Sequence, residues 1–398
     1  AANVNAVSFT FTAAEVGATY NYSFSSSGGA GTVSGSGVIA TATDQITGID
    51  LSGLADGTIT LSVTLTDING NVGAAATDTE SKDAAVPMGY TVAWDDALIN
   101  ATEAPATTFT VSNAEIATTI NYSISSSGDG NTATVSSTET VSTSTQVVIV
   151  DVSSLTDGTL TVTVSLTDGG GNTGTDQTDN SAVLDQTAPA AFTVSMDDAQ
   201  INQADAGSTS FSFTSATVGA NYDYTISSDG GAATVSASGT ITTANQQITG
   251  IDVSGLADGN LNLEVTLTDA AGNTTNASDP SADLDQSVPA FVSVDDNGGD
   301  NSYRAGESLT IVADLGEAGL TVTADLSVIN PGFSATAALT DNTDGTYSIT
   351  IVDVDAAGNL IENPARDITV TAVDAVGNNA SDNSLVLNLD KTAPSGYT

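Results

Sequence analysis

The stretch Leu267-Thr268-Asp269-Ala270-Ala271-Gly272-Asn273 decides how this chain is read. It returns as Leu65-Thr66-Asp67-Ile68-Asn69-Gly70-Asn71, as Leu166-Thr167-Asp168-Gly169-Gly170-Gly171-Asn172, and more loosely as Val373-Asp374-Ala375-Val376-Gly377-Asn378. The Asp positions step by 101, 101 and 105 residues. A turn motif at a fixed period near 100 residues marks tandem copies of one small domain. In each copy an alternating strand ends at Asp, turns on Gly-Asn and leaves through a second strand.

The flanking segments repeat at the same spacing. Ile59, Leu61, Val63 and Leu65 share one strand face with Thr and Ser on the other, and Leu160/Val162/Val164/Leu166 and Leu261/Leu263/Val265/Leu267 repeat this. Period-two alternation of this kind is a half-buried strand with a wet outer face. Asp56-Gly57, Asp157-Gly158 and Asp258-Gly259 precede these strands as turn signals. Ser8–Thr12 and Thr19–Phe24 read as earlier strands, echoed around Phe109, Ile120–Ile124, Phe211/Phe213 and Tyr222/Tyr224. Seven or so short strands per repeat, with turn signals between them, predict an all-β tandem array of four immunoglobulin-like β-sandwiches. The expected boundaries are 1–86, 87–186, 187–286, a divergent 287–390, and the start of a following repeat at 391–398. Strands of this length give roughly 35–45 Å per sandwich and an extended rod on the order of 150 Å. Pro at the joints, as in Asp185-Gln-Thr-Ala-Pro189 and Asp285-Gln-Ser-Val-Pro289, stiffens short linkers.

Composition limits the chemistry. Four basic residues face 48 acidic ones, for a net charge of −44, and there is no His and no Cys. Such a surface repels nucleic acid and anionic lipid and attracts cations. Without His or Cys there is no Ser-His or Cys-His pair and no ordinary zinc site. No run of eighteen apolar residues is present, so no membrane-spanning segment is expected. The acids recur with the repeat, as structural elements do, rather than pairing across one cleft as glycoside hydrolysis requires. An enzyme is not expected.

Three features together resemble the bacterial Ig-like repeats of very large cell-surface and biofilm adhesins. They are Leu-Thr-Asp-x-x-Gly-Asn, the stretches Asp96-Ala-Leu-Ile-Asn100 and Asp198-Ala-Gln-Ile-Asn202, and the linker Asp-x-Thr-Ala-Pro. The resemblance covers the whole chain and is clearest before residue 287; the last repeat resembles modules of surface-layer and other cell-envelope proteins. It implies an extracellular array that extends a tip domain from the cell, with calcium at the junctions.

The residues themselves suggest where calcium would sit. Asp67/Asn71, Asp168/Asn172, Asp269/Asn273 and Asp374/Asn378 each place a carboxylate, an amide oxygen and backbone carbonyls within five residues. Calcium takes six to eight such oxygens. A plain hairpin turn accounts for the same residues, because Gly and Asn supply positive φ and Asp caps the turn. The last hairpin lies at the end of a sandwich where the preceding linker arrives, so Asp185 is expected near Asp269 and Asp285 near Asp374. Asp295, Asp296 and Asp300 form a separate acidic loop, and Asp355 opens a further Asp-x-x-Gly-Asn turn. The adjacent pairs Asp95-Asp96 and Asp197-Asp198 read better as a solvated edge than as ligands. Six Asn-x-Ser/Thr sequons, Asn273-Thr-Thr275 among them, are within reach of chance in so Ser/Thr-rich a chain.

The expected function is a calcium-stiffened stalk or fibre segment. Its partners would be neighbouring repeats and, in a fibre, like chains. A surface-layer or sheath lattice is the first alternative, and a carbohydrate- or ice-binding module the second. A single Trp and 5% aromatics leave few stacking platforms for sugar. Ala1 aligns with Ala101, so the first repeat lacks an opening like Pro87–Asn100, while Pro394-Ser-Gly-Tyr-Thr398 matches Pro87-Met-Gly-Tyr-Thr91. A window on a longer array is the expectation, with strand exchange between chains as the minor account.

Overall fold

A computed structural model describes residues 4–130, 132–393 and 395; the expected start of a further repeat at Pro394–Thr398 lies almost wholly outside them. Among the described residues the chain is all-β, helix being confined to the 3₁₀ turns Ala104–Ala106, Ser127–Asp129 and Ala356–Gly358. No helix there is long and apolar enough to cross a membrane. The chain divides into two compact units, Ala1–Thr187 and Ala188–Thr398.

The first unit holds two pairs of sheets. In the earlier pair, one sheet runs Gly29–Val38, Thr19–Ser26, Gly57–Thr66, Ala76–Lys82, and the other is the ladder of Val7–Thr10 with Gln45–Ile49. Between them lie Phe24, Ile49, Leu51, Leu54 and Ile59. In the later pair, Thr107–Ser112 sits between Thr91–Trp94 and Thr145–Val150. The facing sheet runs Thr134–Thr140, Thr119–Ser126, Gly158–Thr167, Val183–Leu184, Leu98–Ile99, with the last two strands parallel. Leu160, Val162, Val164 and Leu166 are fully buried and the Thr and Ser between them are not, so the predicted face is the core face.

The second unit repeats this plan. Thr209–Thr214 lies between Thr193–Met196 and Gln247–Ile251. Opposite run Thr234–Thr240, Asn221–Ser228, Gly259–Thr268, Thr274–Asp285 and, parallel to the last, Gln200–Asn202. The later sheets are Ser293–Asp295, Leu309–Asp314, Thr346–Ile351, Thr340–Asp341 against Ser302–Arg304, Asn379–Asp390, Asn363–Val373, Thr321–Ala324, Ala337–Ala338. Here too the second short strand crosses over to pair in parallel with the last, Ser302–Arg304 with Asn388–Asp390. An edge-to-face aromatic pair joins the sheets in three of the cores: Phe9–Tyr22 at 5.4 Å, Phe109–Tyr122 at 5.3 Å and Phe211–Tyr224 at 5.2 Å. Pairs of this geometry add about 0.5–1.5 kcal/mol beyond area burial.

Candidate functional site at the hairpins and linkers

The four Leu-Thr-Asp-type turns share one construction. The Asp N–H donates to the Asn carbonyl at 3.0–3.1 Å in all four, closing the hairpin. Gly70, Gly171, Gly272 and Gly377 have φ of +91°, +81°, +95° and +98°, which explains the glycine. The Asp carboxylate is then filled from within the turn. Asp374 Oδ1 accepts the N–H groups of Val376, Gly377 and Asn378 at 3.0, 2.8 and 2.9 Å, and Oδ2 accepts Asn378 Nδ2 at 2.9 Å. Asp67, Asp168 and Asp269 each receive the corresponding Asn N–H and Asn Nδ2 at 2.8–3.0 Å. The amide of Asn71 beside Asp67, and that of Asn172 beside Asp168, hold these two carboxyls below the usual range.

The same Asn side chains reach the preceding linker. Asn378 Nδ2 also donates to the Asp285 carbonyl at 2.8 Å, and Asn378 Oδ1 accepts the Gln203 N–H at 2.7 Å. Asn202 Nδ2 donates to the Val376 carbonyl at 3.2 Å, and Asn378 is only 3% exposed. In the first unit Asn172 Nδ2 donates to the Asp83 carbonyl at 3.2 Å. The expected meeting of Asp285 with the Asp374 turn therefore occurs, through the Asp285 backbone oxygen and the Asn378 amide. The sequon at Asn273 is 7% exposed and committed to its hairpin.

Other predicted residues are placed separately. Asp185, Asp285, Asp295 and Asp300 each use Oδ1 to accept the N–H two residues on, at 3.1, 3.0, 2.8 and 3.0 Å. These are Asx turns. Asp295 and Asp300 are exposed, whereas Asp296 is buried and accepts the Asn301 N–H at 2.8 Å and the Tyr303 hydroxyl at 3.0 Å. Burial and the Asp296 carboxylate push the Tyr303 phenol up to about 12. Asp355 does not form the hairpin device: its Oδ1 accepts the Leu360 N–H at 2.7 Å across a 3₁₀ turn with Ala357 at φ +64°. Among the described residues no three acidic side chains converge as a metal-binding group.

Asp157 and Asp258, which the sequence marks as turn residues, also hold the chain that follows. Asp157 Oδ1 accepts the Gln186 N–H at 2.8 Å, and Gln186 Nε2 donates to the Leu155 carbonyl at 3.0 Å. Asp258 does the same with Gln286 at 2.9 Å and takes the Ser287 hydroxyl at 2.7 Å; these bonds, the hydroxyl foremost, lower its carboxyl. In the first sandwich Lys82 Nζ makes the matching bonds, to the Leu54 carbonyl at 2.8 Å and to Asp56 at 3.0 Å. The Asp-Gly turn thus grips the chain as it leaves each of the first three sandwiches. The recurrence of Gln two residues before Ala or Val-Pro was the available signal.

No family model matches the chain, and no curated protein matches it. Among solved structures it is similar to a tetra-tandem repeat in the extending region of a large adhesion protein, at 25% identity over 97% of this chain and 95% of that one, with a TM-score of 0.34. It is also similar to a structure described for host cell-surface retention of a 1.5-MDa bacterial ice-binding adhesin, at 20% identity over 78% of this chain and 100% of that one, with a TM-score of 0.32.

Proposed function

We propose that the chain is a run of four immunoglobulin-like sandwiches, bounded near residues 86, 186 and 286, within the extracellular stalk of a large cell-surface adhesive protein, and that calcium stiffens it. The observation that carries this reading is the recurrence of one joint. A hairpin Asn bonds the backbone of the incoming linker at Asp83 and again at Asp285, and an Asp-Gly turn grips the outgoing linker at Gln186 and Gln286. Enzymes and receptors concentrate their polar chemistry in one place, whereas here it repeats at the ends of sandwiches, where tension is transmitted. In the last three repeats a three- or four-stranded sheet faces a larger one whose edge strand pairs in parallel, which suits the immunoglobulin-like type.

Calcium acts at the acid-rich ends. The half-buried Asp185 and Asp285, the hairpin pairs Asp67/Asn71, Asp168/Asn172, Asp269/Asn273 and Asp374/Asn378, the loop acids Asp295, Asp296 and Asp300, and Asp355 supply hard oxygen donors in a chain of net charge −44. With few carboxylates per site, carbonyls and water complete the shell, which corresponds to the weak regime of extracellular modules, about 10⁻⁴–10⁻³ M. Binding to the folded state alone raises its stability by mass action. Thermal unfolding in chelator and in millimolar calcium, with magnesium as control, tests this. A midpoint raised by calcium and not by equal magnesium is expected; an identical midpoint in all three would remove calcium from the account.

A further inference from the structure

We propose that the second sandwich pairs laterally with the same sandwich of a second copy, edge to edge along Thr145–Val150, about a two-fold axis at Val148. Such pairing lies beyond the stalk reading and needs no calcium. Four repeats in one chain supply the comparison, because three of them spoil this outer strand for pairing. In the first, Phe9 faces Ile46 and Val7 faces Ile49, so Thr47 and Gly48 together lie against Ser8. In the third, Phe211 faces Ile248, Ser210 faces Thr249 and Thr209 faces Ile251, with Gly250 as the extra residue. Gly48 and Gly250 both have φ of +73°, and a bulge of this kind twists an edge out of line. In the fourth the outer strand is only Thr340–Asp341, and it carries a charge.

The second sandwich has no such device. Thr145–Val150 keeps unbroken register with Thr107–Ser112, and among the described residues it pairs with nothing on its other side. Ile149 alone faces Thr108, where the bulge stands elsewhere. Five of the six residues are β-branched, and none is charged, Gly or Pro. Val148 and Val150 are buried in the core, but Val147 and Ile149 are 52% and 69% exposed. Gln146 is committed within its own sandwich, donating to Glu139 at 2.6 Å and accepting the Ser142 hydroxyl at 2.9 Å. A regular, uncharged, apolar edge is a template for another strand.

Charge decides the occupant. A basic partner would be drawn to the acids, whereas a neutral edge is where a chain of net charge −44 meets its like without opposing carboxylates. An axis through a residue, rather than between two, keeps both copies' core faces on the same side of the joined sheet. With the axis at Val148, Val147 lies opposite the partner's Ile149, and Asp151 falls opposite the partner's Thr145. An axis at Ile149 would set Val147 against the partner's Asp151, and one at Val147 would set Ile149 against the partner's Thr145. A two-fold contact uses one patch on both copies, so each closes the other's edge. One ladder of six residues is a small contact beside the roughly 1,200 Å² of a stable interface, so it is weak singly and gains strength where many stalks stand side by side.

The test uses the full chain in chelator, so that its outcome is separate from any effect of calcium. Sedimentation from micromolar to millimolar chain, in enough salt to screen the net charge, should show a monomer–dimer equilibrium. Val147→Glu/Ile149→Glu alters two exposed positions and sets like charges opposite each other. It should keep the unfolding midpoint and weaken dimerisation at least tenfold, whereas Thr249→Glu on the bulged edge of the third sandwich should leave dimerisation unchanged. Oxidation reads the register, since the chain has no Cys of its own. Opposed residues of an antiparallel pair stand about 4.5–5.5 Å apart, within disulfide reach, and diagonal ones about 7–8 Å, beyond it. A mixture of Val147→Cys and Ile149→Cys chains should therefore cross-link severalfold faster than either chain alone. A chain that stays monomeric at millimolar concentration, dimerisation that the Glu pair leaves intact, or cross-linking no faster in the mixture overturns the proposal.

Discussion

Asn378 illustrates how little of a joint lies in charge. Its amide spans the Asp374 carboxylate and the Asp285 carbonyl, and its own oxygen takes the Gln203 N–H. Removing one buried partner leaves the others unsatisfied, and each such loss costs about 1–3 kcal/mol. Asn378→Ala should therefore destabilise the last sandwich by roughly that amount, read as a lower midpoint in chemical unfolding with an unchanged slope. The hairpin Gly and Asn were legible from sequence because positive φ and Asx capping name those residue types. The linker bond was not, because a carbonyl carries no residue identity. For the same reason Asp285 could be foreseen near the Asp374 turn, but not that its backbone would make the contact. The grip of Asp157 and Asp258 on Gln186 and Gln286 is not legible in the sequence, because Asp-Gly already has a sufficient explanation as a turn.

At the scale of strands and turns, carboxylates do the work that disulfides do elsewhere. Asp56, Asp67, Asp168 and Asp258 all have lowered carboxyl pKa values: Asp56 first through the Ala84 N–H and then Lys82, Asp67 and Asp168 through an Asn amide, Asp258 through the Ser287 hydroxyl. A lowered folded-state pKa gives stability that is present above the unfolded value, about 3.9, and is lost as pH falls through the folded value. With no His in the chain, no side chain of ordinary pKa titrates between pH 5 and 8. The unfolding midpoint, measured in enough salt to screen diffuse repulsion, should be flat across that range and fall once the pH passes below about 4. A midpoint that rose on acidification would show that general repulsion outweighs these local bonds. The strands were readable because Leu160, Val162, Val164 and Leu166 alternate with Thr and Ser. The parallel crossing of Leu98–Ile99 onto Val183–Leu184 was not, because two residues are too few to carry a period.

For the molecule as a whole, the account is of separate cores in series. Phe24 with Ile59, Phe109 with Leu166, Phe211 with Leu267, and Tyr347 with Leu387 each belong to a different cluster, and the stretches between are Pro-containing linkers. That organisation was legible from the 101-residue step of one turn motif. The acid-to-acid approach expected at the joints was less so, since charge shows a need for counter-ions and not their position. The central claim, that sandwiches in series carry tension independently, is tested most directly by single-molecule extension of the chain held at its two ends. The account predicts sequential unfolding events, each releasing on the order of 300 Å of contour for about 100 residues, at forces that rise in millimolar calcium. One cooperative event releasing the whole chain at once would contradict it.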